Sequence, residues 1–185
     1  MNLYTFLNQI TEEFSYIEGT WHEVNLKTLD KQEKTKLWNL FKSSYGYMKD
    51  DMIKGSSQKK FFTEYENAII LDVNGDKKMD AFFIYKKNGN YKKLSLLGAN
   101  RTGAPFVIKK LVELLKQSGF FIEASLKIET ILSKSLNPVT DQNIINKVLR
   151  QFSNKTITHL EDGFYERKVS LSGKTIKKRI YGNVN

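Results

Sequence analysis

The chain has 185 residues and a formal net charge of +10, with no cysteine and only two histidines. This length predicts a single domain over residues 1–185 that buries a continuous core. The lack of cysteine excludes disulfides, thiolate metal sites and cysteine nucleophiles, and two histidines argue against a histidine-rich metal centre. Neither a signal peptide nor an apolar run of the roughly 20 residues that cross a bilayer is apparent, so we expect a cytoplasmic protein with no membrane partner.

The positive charge suggests a nucleic-acid partner, because basic side chains neutralise phosphates. Only four of the 30 basic residues are arginine, however, and arginine is the side chain best suited to bidentate phosphate and base contacts. A lysine-rich bias also follows from an AT-rich coding sequence. The basic residues form a dense cluster only at Lys174–Arg179, where Lys177 and Arg179 share one strand face. A nucleic-acid partner is therefore possible but not favoured.

The N-terminal third contains helical and strand signals in alternation. Apolar residues recur with helical spacing over residues 3–17, which predicts a first helix. Thr20–Asn25 is predicted as a short strand. Asp30 and Glu33 have the spacing of a capping box, which predicts the start of a second helix. Residues 45–60 are polar and interrupted by glycine, and we expect a short helix and a loop there.

Three strand-like runs occupy the middle of the chain: Asn67–Val73, Asp80–Lys86 and Tyr91–Ala99. Asn74-Gly75 and Asn88-Gly89 lie between them, and such pairs are typical of tight hairpin turns, which need positive φ values. The three runs therefore predict an antiparallel meander.

An amphipathic helix follows the meander, beginning at Pro105 and ending before Gly119. Its apolar stripe predicts that it packs on a sheet. The elements after this helix are predicted as a strand, two helices and two closing strands: Phe120–Ala124, Leu126–Lys134, a helix capped by Thr140 or Asp141, about Phe164–Leu171 and about Lys174–Tyr181.

The turn Gly98–Pro105 is the sharpest candidate for a phosphate site. The start of a helix presents N–H groups that have no partner within the helix, together with a partial positive charge. Gly103 allows close approach of the backbone to a pyrophosphate, and Arg101 can add a charge-assisted contact. The alternative is an ordinary strand-to-helix turn.

The acidic segment from Asp72 to Asp80 imitates an oxygen-rich calcium loop. It departs from the pattern at Lys77, where the glycine of the sharp turn belongs, and at Phe83, where the bidentate glutamate belongs. A hairpin turn at Asn74-Gly75 explains the same residues more simply. We therefore expect no metal site.

The order of these elements resembles the GNAT superfamily of acetyl-CoA-dependent N-acyltransferases over nearly the whole chain. The resemblance implies an α+β fold, a GNAT-like mixed, mostly antiparallel sheet flanked by helices. In that family the strand before the central helix bonds the pantetheine arm, and a loop of pattern Gln/Arg-x-x-Gly-x-Gly/Ala binds the pyrophosphate. Placing Gly103 on the first glycine puts Asn100 at the Gln/Arg position and Pro105 at the final small residue. The residues that the resemblance assigns to acetyl-CoA are Leu96, Leu97, Gly98, Arg101, Thr102, Gly103 and Ala104.

Three further segments look similar to GNAT-like proteins encoded by tailed phages. They are Asp72–Asp76, Phe121–Ser125 and Gly163–Arg167. A phage origin would place the protein in the host cytoplasm.

Acyl transfer in the family needs a base for the amine and an acid for the leaving thiolate. Glu123 interrupts an apolar run, and burial there would raise the pKa of its carboxyl; the alternative is an edge-facing or salt-bridged glutamate. Ser125 shares the strand face of Glu123 and could orient an acceptor. Tyr165 is favoured over Tyr181 as the acid, although both could be packing aromatics. Tyr45 and Tyr47 are candidates for lining the acceptor pocket.

The resemblance implies an N-acyltransferase that moves an acetyl or other acyl group from acyl-CoA to an unidentified amine. One alternative is a catalytically silent GNAT-fold protein that binds a host macromolecule or nucleic acid. Another is an acyltransferase that modifies phage DNA, which would account for both the fold and the charge.

Overall fold

A computed structural model describes residues 20–45, 57–168 and 173–185 of the chain. The predicted helix over residues 3–17, Tyr47, and most of the segment 45–60 lie outside the described residues. No helix in the described part of the chain has the length and apolar character needed to cross a membrane.

The described residues form five α-helices, eight strands and two short 3-10 helices, Leu26–Thr28 and Glu161–Gly163. The helices are α1 (Lys31–Tyr45), α2 (Gln58–Glu64), α3 (Ala104–Lys116), α4 (Leu126–Leu132) and α5 (Gln142–Arg150). The strands are β1 (Thr20–Asn25), β2 (Asn67–Asp72), β3 (Ala81–Asn88), β4 (Tyr91–Ala99), β5 (Phe120–Ala124), β6 (Ile157–His159), β7 (Tyr165–Lys168) and β8 (Thr175–Gly182).

The strands form one sheet in the order β1-β2-β3-β4-β5-β8-β7-β6. β4 and β5 run parallel and pair Lys92–Leu94 with Phe120–Ile122. The pairs β1–β2, β2–β3, β5–β8, β8–β7 and β7–β6 are antiparallel. The predicted fold class, an α+β arrangement with a mixed, mostly antiparallel sheet and flanking helices, is confirmed.

The chain divides into two compact units, residues 1–86 with 95–110 and residues 87–94 with 111–185. In the described part of the first unit, α1 and α2 pack aromatic side chains on the β2–β3 face of the sheet, with Trp38, Phe41 and Phe61 at the centre. The predicted capping box begins α1: Asp30 Oδ1 accepts from the Glu33 N–H, at 2.8 Å, and Glu33 Oε2 accepts from the Asp30 N–H, at 2.9 Å.

The second unit has its own core, in which the apolar stripe of α5 packs on β5, β7 and β8. Its buried members include Phe121, Ile145, Val148, Tyr165 and Ile180. Of the two predicted caps for α5, the structure uses Asp141. Its Oδ1 accepts from the N–H groups of Asn143 and Ile144, at 2.8 and 3.3 Å.

The predicted tight turn between β2 and β3 is wrong. A longer loop, residues 73–80, joins these strands, and both Gly75 and Lys77 have positive φ. The carboxylate of Asp72 accepts from the N–H groups of Asp76 and Lys77, which stabilises this loop. The turn between β3 and β4 consists of Gly89 and Asn90, one residue later than the predicted pair Asn88-Gly89. Gly89 has the positive φ, 57°, that such a turn needs.

Candidate active site

The loop between β4 and α3 is held by the side chain of Asn100. Its Oδ1 accepts from the Gly103 N–H, at 2.9 Å, and its backbone oxygen accepts from the Ala104 N–H, at 3.0 Å. Its Nδ2 donates to Asp80 Oδ1, and its N–H donates to the Asp80 carbonyl, both at 2.9 Å. Asn100 therefore caps the helix and ties the loop to Asp80.

Gly103 is a glycine for a structural reason. A Cβ at this position would lie 2.1 Å from the backbone oxygen of Asp80, a separation that real Cβ atoms do not show. The close approach that the sequence assigned to a pyrophosphate is thus already made to Asp80, the last residue of the loop before β3.

The N–H groups of Gly103 and Ala104 are already bonded to Asn100, and Pro105 has no N–H group. Arg101 and Thr102 are both exposed, and within the described residues no partner accepts from their N–H groups. Of Thr102, Gly103 and Ala104, which the resemblance assigns to acetyl-CoA, the geometry leaves the Thr102 N–H available, with Arg101 beside it.

The strand residues assigned to the pantetheine arm lie in the interior of the first unit. Leu96 belongs to its core, and the Leu97 N–H donates to the Tyr45 hydroxyl oxygen, at 3.1 Å. A Cβ on Gly98 would come within 2.5 Å of Ser44 Oγ and 2.7 Å of the Phe82 ring, so only glycine fits. Tyr45, predicted for the acceptor pocket, is therefore bonded to the backbone of β4.

Glu123 and Tyr165 are brought together, as the catalytic prediction requires. The Tyr165 hydroxyl donates to Glu123 Oε1, at 2.6 Å, and both side chains are buried. Their contact follows from the sheet register, because β8 lies between β5 and β7 and pairs Ile180 with Glu123 and Lys178 with Tyr165.

Glu123 also forms ion pairs with Lys93 and Arg167, whose side chains are 19% and 15% exposed. Sequence reasoning missed both partners. Burial alone would raise the pKa of Glu123, but the charges of Lys93 and Arg167, with hydrogen bonds from Lys93 and Tyr165, leave its pKa below the ordinary value. The expectation of a raised pKa is wrong, and the salt-bridged alternative is what the structure shows.

The pKa of Tyr165 is raised strongly, first by burial and then by the charge and hydrogen bond of Glu123. A phenolate here would lie against an ionised carboxylate, so the hydroxyl keeps its proton. Ser125 follows the end of β5 and occupies the N-cap position of α4 without a side-chain cap bond. Within the described residues, no hydrogen bond joins its side chain to Glu123 or Tyr165.

A second glutamate–tyrosine pair lies on the opposite face of β8. The Tyr181 hydroxyl donates to Glu129 Oε1, at 2.9 Å, and Arg179 Nη1 lies 3.0 Å from the same oxygen. Burial, followed by the hydrogen bond and charge of Glu129, raises the pKa of Tyr181 to about 12. Glu129 could not be recognised from the sequence, because this contact joins α4 to a strand about 50 residues later.

The acidic loop gathers Asp72, Asp76 and Asp80, with one oxygen of each carboxylate within 4.8 Å of the others. These carboxylates accept from the loop's own N–H groups: Asp72 from Asp76 and Lys77, Asp76 from Lys78, and Asp80 from Val73. The loop thus uses its acids to hold its own backbone.

The basic C-terminal strand carries Lys177 and Arg179 on one face, as predicted. Both cations lie over the ring of Phe164, at 4.4 and 4.3 Å from its centroid. Arg179 also donates from Nε to the Asp162 carbonyl, at 2.8 Å. Arg179 therefore has internal partners, and a nucleic-acid role for this face stays a prediction.

No protein-family model matches the chain, and no curated protein matches it. Among solved structures, the chain is similar to the ribosomal-protein-S18-alanine N-acetyltransferase from Escherichia coli. The identity is 13% and the TM-score 0.38, over 90% of this chain and 96% of that chain.

Proposed function

We propose that this chain is an N-acyltransferase that moves an acyl group, such as acetyl from acetyl-CoA, to an amine. The observation that carries the proposal is the path of β4. This strand pairs in parallel with β5 only over Lys92–Leu94, then continues through Ala99 into the turn that begins α3. In the acetyltransferase family that the sequence resembles, the strand before the central helix and the loop after that strand bind the donor.

The proposed donor site is the backbone of Leu96–Gly98 together with the loop from Arg101 to Ala104. Because Gly103 and Ala104 already donate to Asn100, the pyrophosphate would bind the N–H groups of Arg101 and Thr102 and the Arg101 guanidinium. This assignment narrows the predicted pyrophosphate site to the two exposed residues of the loop, Arg101 and Thr102.

The proposed chemistry forms a C–N bond between amine and acyl carbon and breaks the C–S bond of the thioester. Glu123, ionised at neutral pH, takes the proton that the amine loses. Tyr165 gives its proton to the departing thiolate and recovers one from Glu123 through their 2.6 Å hydrogen bond. This relay returns both side chains to their starting protonation states and never requires a free phenolate. Ser125 stays a candidate for orienting the acceptor.

Calorimetry of the purified protein with acetyl-CoA and with CoA tests the donor site. We expect both to bind, and Arg101→Ala to weaken binding about tenfold, as one charge-assisted contact on an exposed loop would. Lys59→Ala, an exposed cation on α2, is the matched control and should leave the affinity unchanged. If neither ligand binds, or if the two variants behave alike, the proposed donor site is wrong.

The second candidate is a protein of this fold that binds a macromolecule and catalyses nothing. It is favoured by the internal bonding of Gly103 and Ala104 and by the two ion pairs that lower the basicity of Glu123. The same calorimetry separates the candidates, because a protein that has lost the donor site binds neither acetyl-CoA nor CoA. The DNA-modifying acyltransferase differs only in its acceptor, which assays of acyl transfer to DNA and to small amines would distinguish.

A further inference from the structure

Three cationic side chains from three strands lie on the same face of the sheet as Glu123. Lys93 is on β4, Arg167 on β7 and Lys178 on β8. The register explains this, because Lys178 pairs with Tyr165, and Ile180, two residues further, pairs with Glu123. Side chains two apart on a strand share a face. We call Lys93, Arg167 and Lys178 the cation cluster.

Lys178 is the member of the cation cluster that forms no ion pair with Glu123. Lys93 and Arg167 both pair with Glu123, so a single carboxylate, 4% exposed, is shared by two cations. Lys178 has no hydrogen-bond or ion-pair partner among the described residues. The charged groups that act on it are Glu123, which attracts it, and Lys93 and Arg167, which repel it. Glu123 attracts Lys178 but is already paired with Lys93 and Arg167.

Two further observations mark the cluster as incomplete. Arg167 Nε is buried without a hydrogen-bond partner in the described residues, although buried donors in native proteins are nearly always paired. Burial, together with the charges of Lys93 and Arg167, lowers the pKa of Lys178 despite the attraction of Glu123. One additional anion could accept from Arg167 Nε and pair with Lys178.

We propose that the cation cluster binds an anionic oxygen group, the phosphate or carboxylate of a small molecule. The donors to this group are Lys178 and Arg167 Nε, which do not bond to Glu123. The partial burial of the three side chains favours a compact group over the backbone of a polymer. If the chain is the acyltransferase proposed above, on which this last step rests, the acceptor is an amine that also carries a phosphate or carboxylate.

Thermal unfolding of the purified protein, without any CoA, tests the cluster independently of acyl transfer. The probes are inorganic phosphate and malonate, with sodium chloride at equal ionic strength as the reference. At a probe concentration about 100 times its Kd, we expect the midpoint to rise by about 5–10 °C over the chloride reference. The probe that acts at the lower concentration identifies phosphate or carboxylate as the preferred group.

Lys178→Met keeps the length of the side chain and removes its charge. We expect this variant to lose most of the anion-induced rise and, without anions, to unfold no earlier than the natural protein, because a repulsion has been removed. Lys177→Met, the exposed neighbour that points to the other face, should keep the full rise. No rise with either probe, or an equal rise in both variants, overturns the proposal. Failure of acetyl-CoA to bind would leave these results untouched.

Discussion

Replacing Glu123 by glutamine removes the one carboxylate that Lys93 and Arg167 share while preserving its shape. The amide oxygen can still accept from Tyr165, so the change isolates the charge. The two cations, 19% and 15% exposed, would then lose the counter-charge that Glu123 supplies. Breaking a buried ion pair from one side costs about 3–5 kcal/mol. Their residual exposure points to the lower end, about 3 kcal/mol, which corresponds to a fall of about 6–12 °C in Tm for a chain of this size.

Urea denaturation followed by circular dichroism measures this loss at neutral pH. The matched control is Glu66→Gln, which removes an exposed carboxylate from Lys27, where the side chains are 51% and 64% exposed. Exposed pairs contribute about 0–1 kcal/mol, so this variant should unfold almost as the natural protein does. Equal losses in the two variants would refute the view that burial makes the Glu123 pair matter.

The pH dependence of the same measurement supplies a second check with a defined sign. The pKa of Glu123 is lower in the folded protein than its ordinary value, so its contribution is complete at neutral pH and is lost as the pH falls through that ordinary value, about 4.3, towards the folded one. Glu123→Gln lacks this titration. The gap in the free energy of unfolding between natural protein and variant should therefore narrow below about pH 4, and a gap that stays constant down to pH 3 would contradict the ion-pair assignment.

Two other substitutions probe the proposed donor site. Gly103→Ala places a Cβ 2.1 Å from the Asp80 carbonyl oxygen. Urea denaturation without ligand should therefore show that the free energy of unfolding falls by about 1–3 kcal/mol. An unchanged free energy of unfolding would refute the packing role of Gly103. Tyr45→Phe leaves the buried Leu97 N–H unpaired, which should cost about 1–3 kcal/mol. If the pantetheine arm bonds this strand, calorimetry should show that the variant binds acetyl-CoA more tightly, because a competing hydroxyl is gone; weaker binding in a folded variant would contradict that placement.

The sequence predicted best those features that are decided by neighbouring residues. The capping box of Asp30 and Glu33 forms both of its hydrogen bonds, and Phe120–Ala124 is a strand over its whole predicted length. Both rest on local signals, a side chain that bonds the backbone three residues away and an apolar run between a glycine and a serine.

The features that sequence reasoning missed depend on contacts between distant segments. The Asp80 carboxylate bonds both Val73 and Asn100 and so holds the long loop after β2 in place, and no local pattern reveals these contacts. Lys93 and Arg167 became partners of Glu123 only through the pairing of four strands, and each looked like an ordinary surface cation in the sequence. For the same reason the sequence assigned Glu123 a raised pKa when the assembled sheet lowers it.

The two glutamate–tyrosine pairs on opposite faces of β8 make the choice of catalytic acid testable. A free tyrosine with a pKa raised to about 12 or beyond is a poor acid towards a thiolate whose pKa is near 8.5. Only a tyrosine that regains a proton as it gives one can serve, which requires a carboxylate that has just been protonated. Glu123 is that proposed carboxylate, so Tyr165→Phe should lower kcat at least 100-fold while leaving the affinity for acetyl-CoA unchanged. Tyr181→Phe, which loses an equivalent bond to Glu129, should cost about 1 kcal/mol of stability and little activity. Steady-state kinetics of both variants tests this assignment. A loss of kcat in Tyr181→Phe alone would identify Tyr181, and not Tyr165, as the acid.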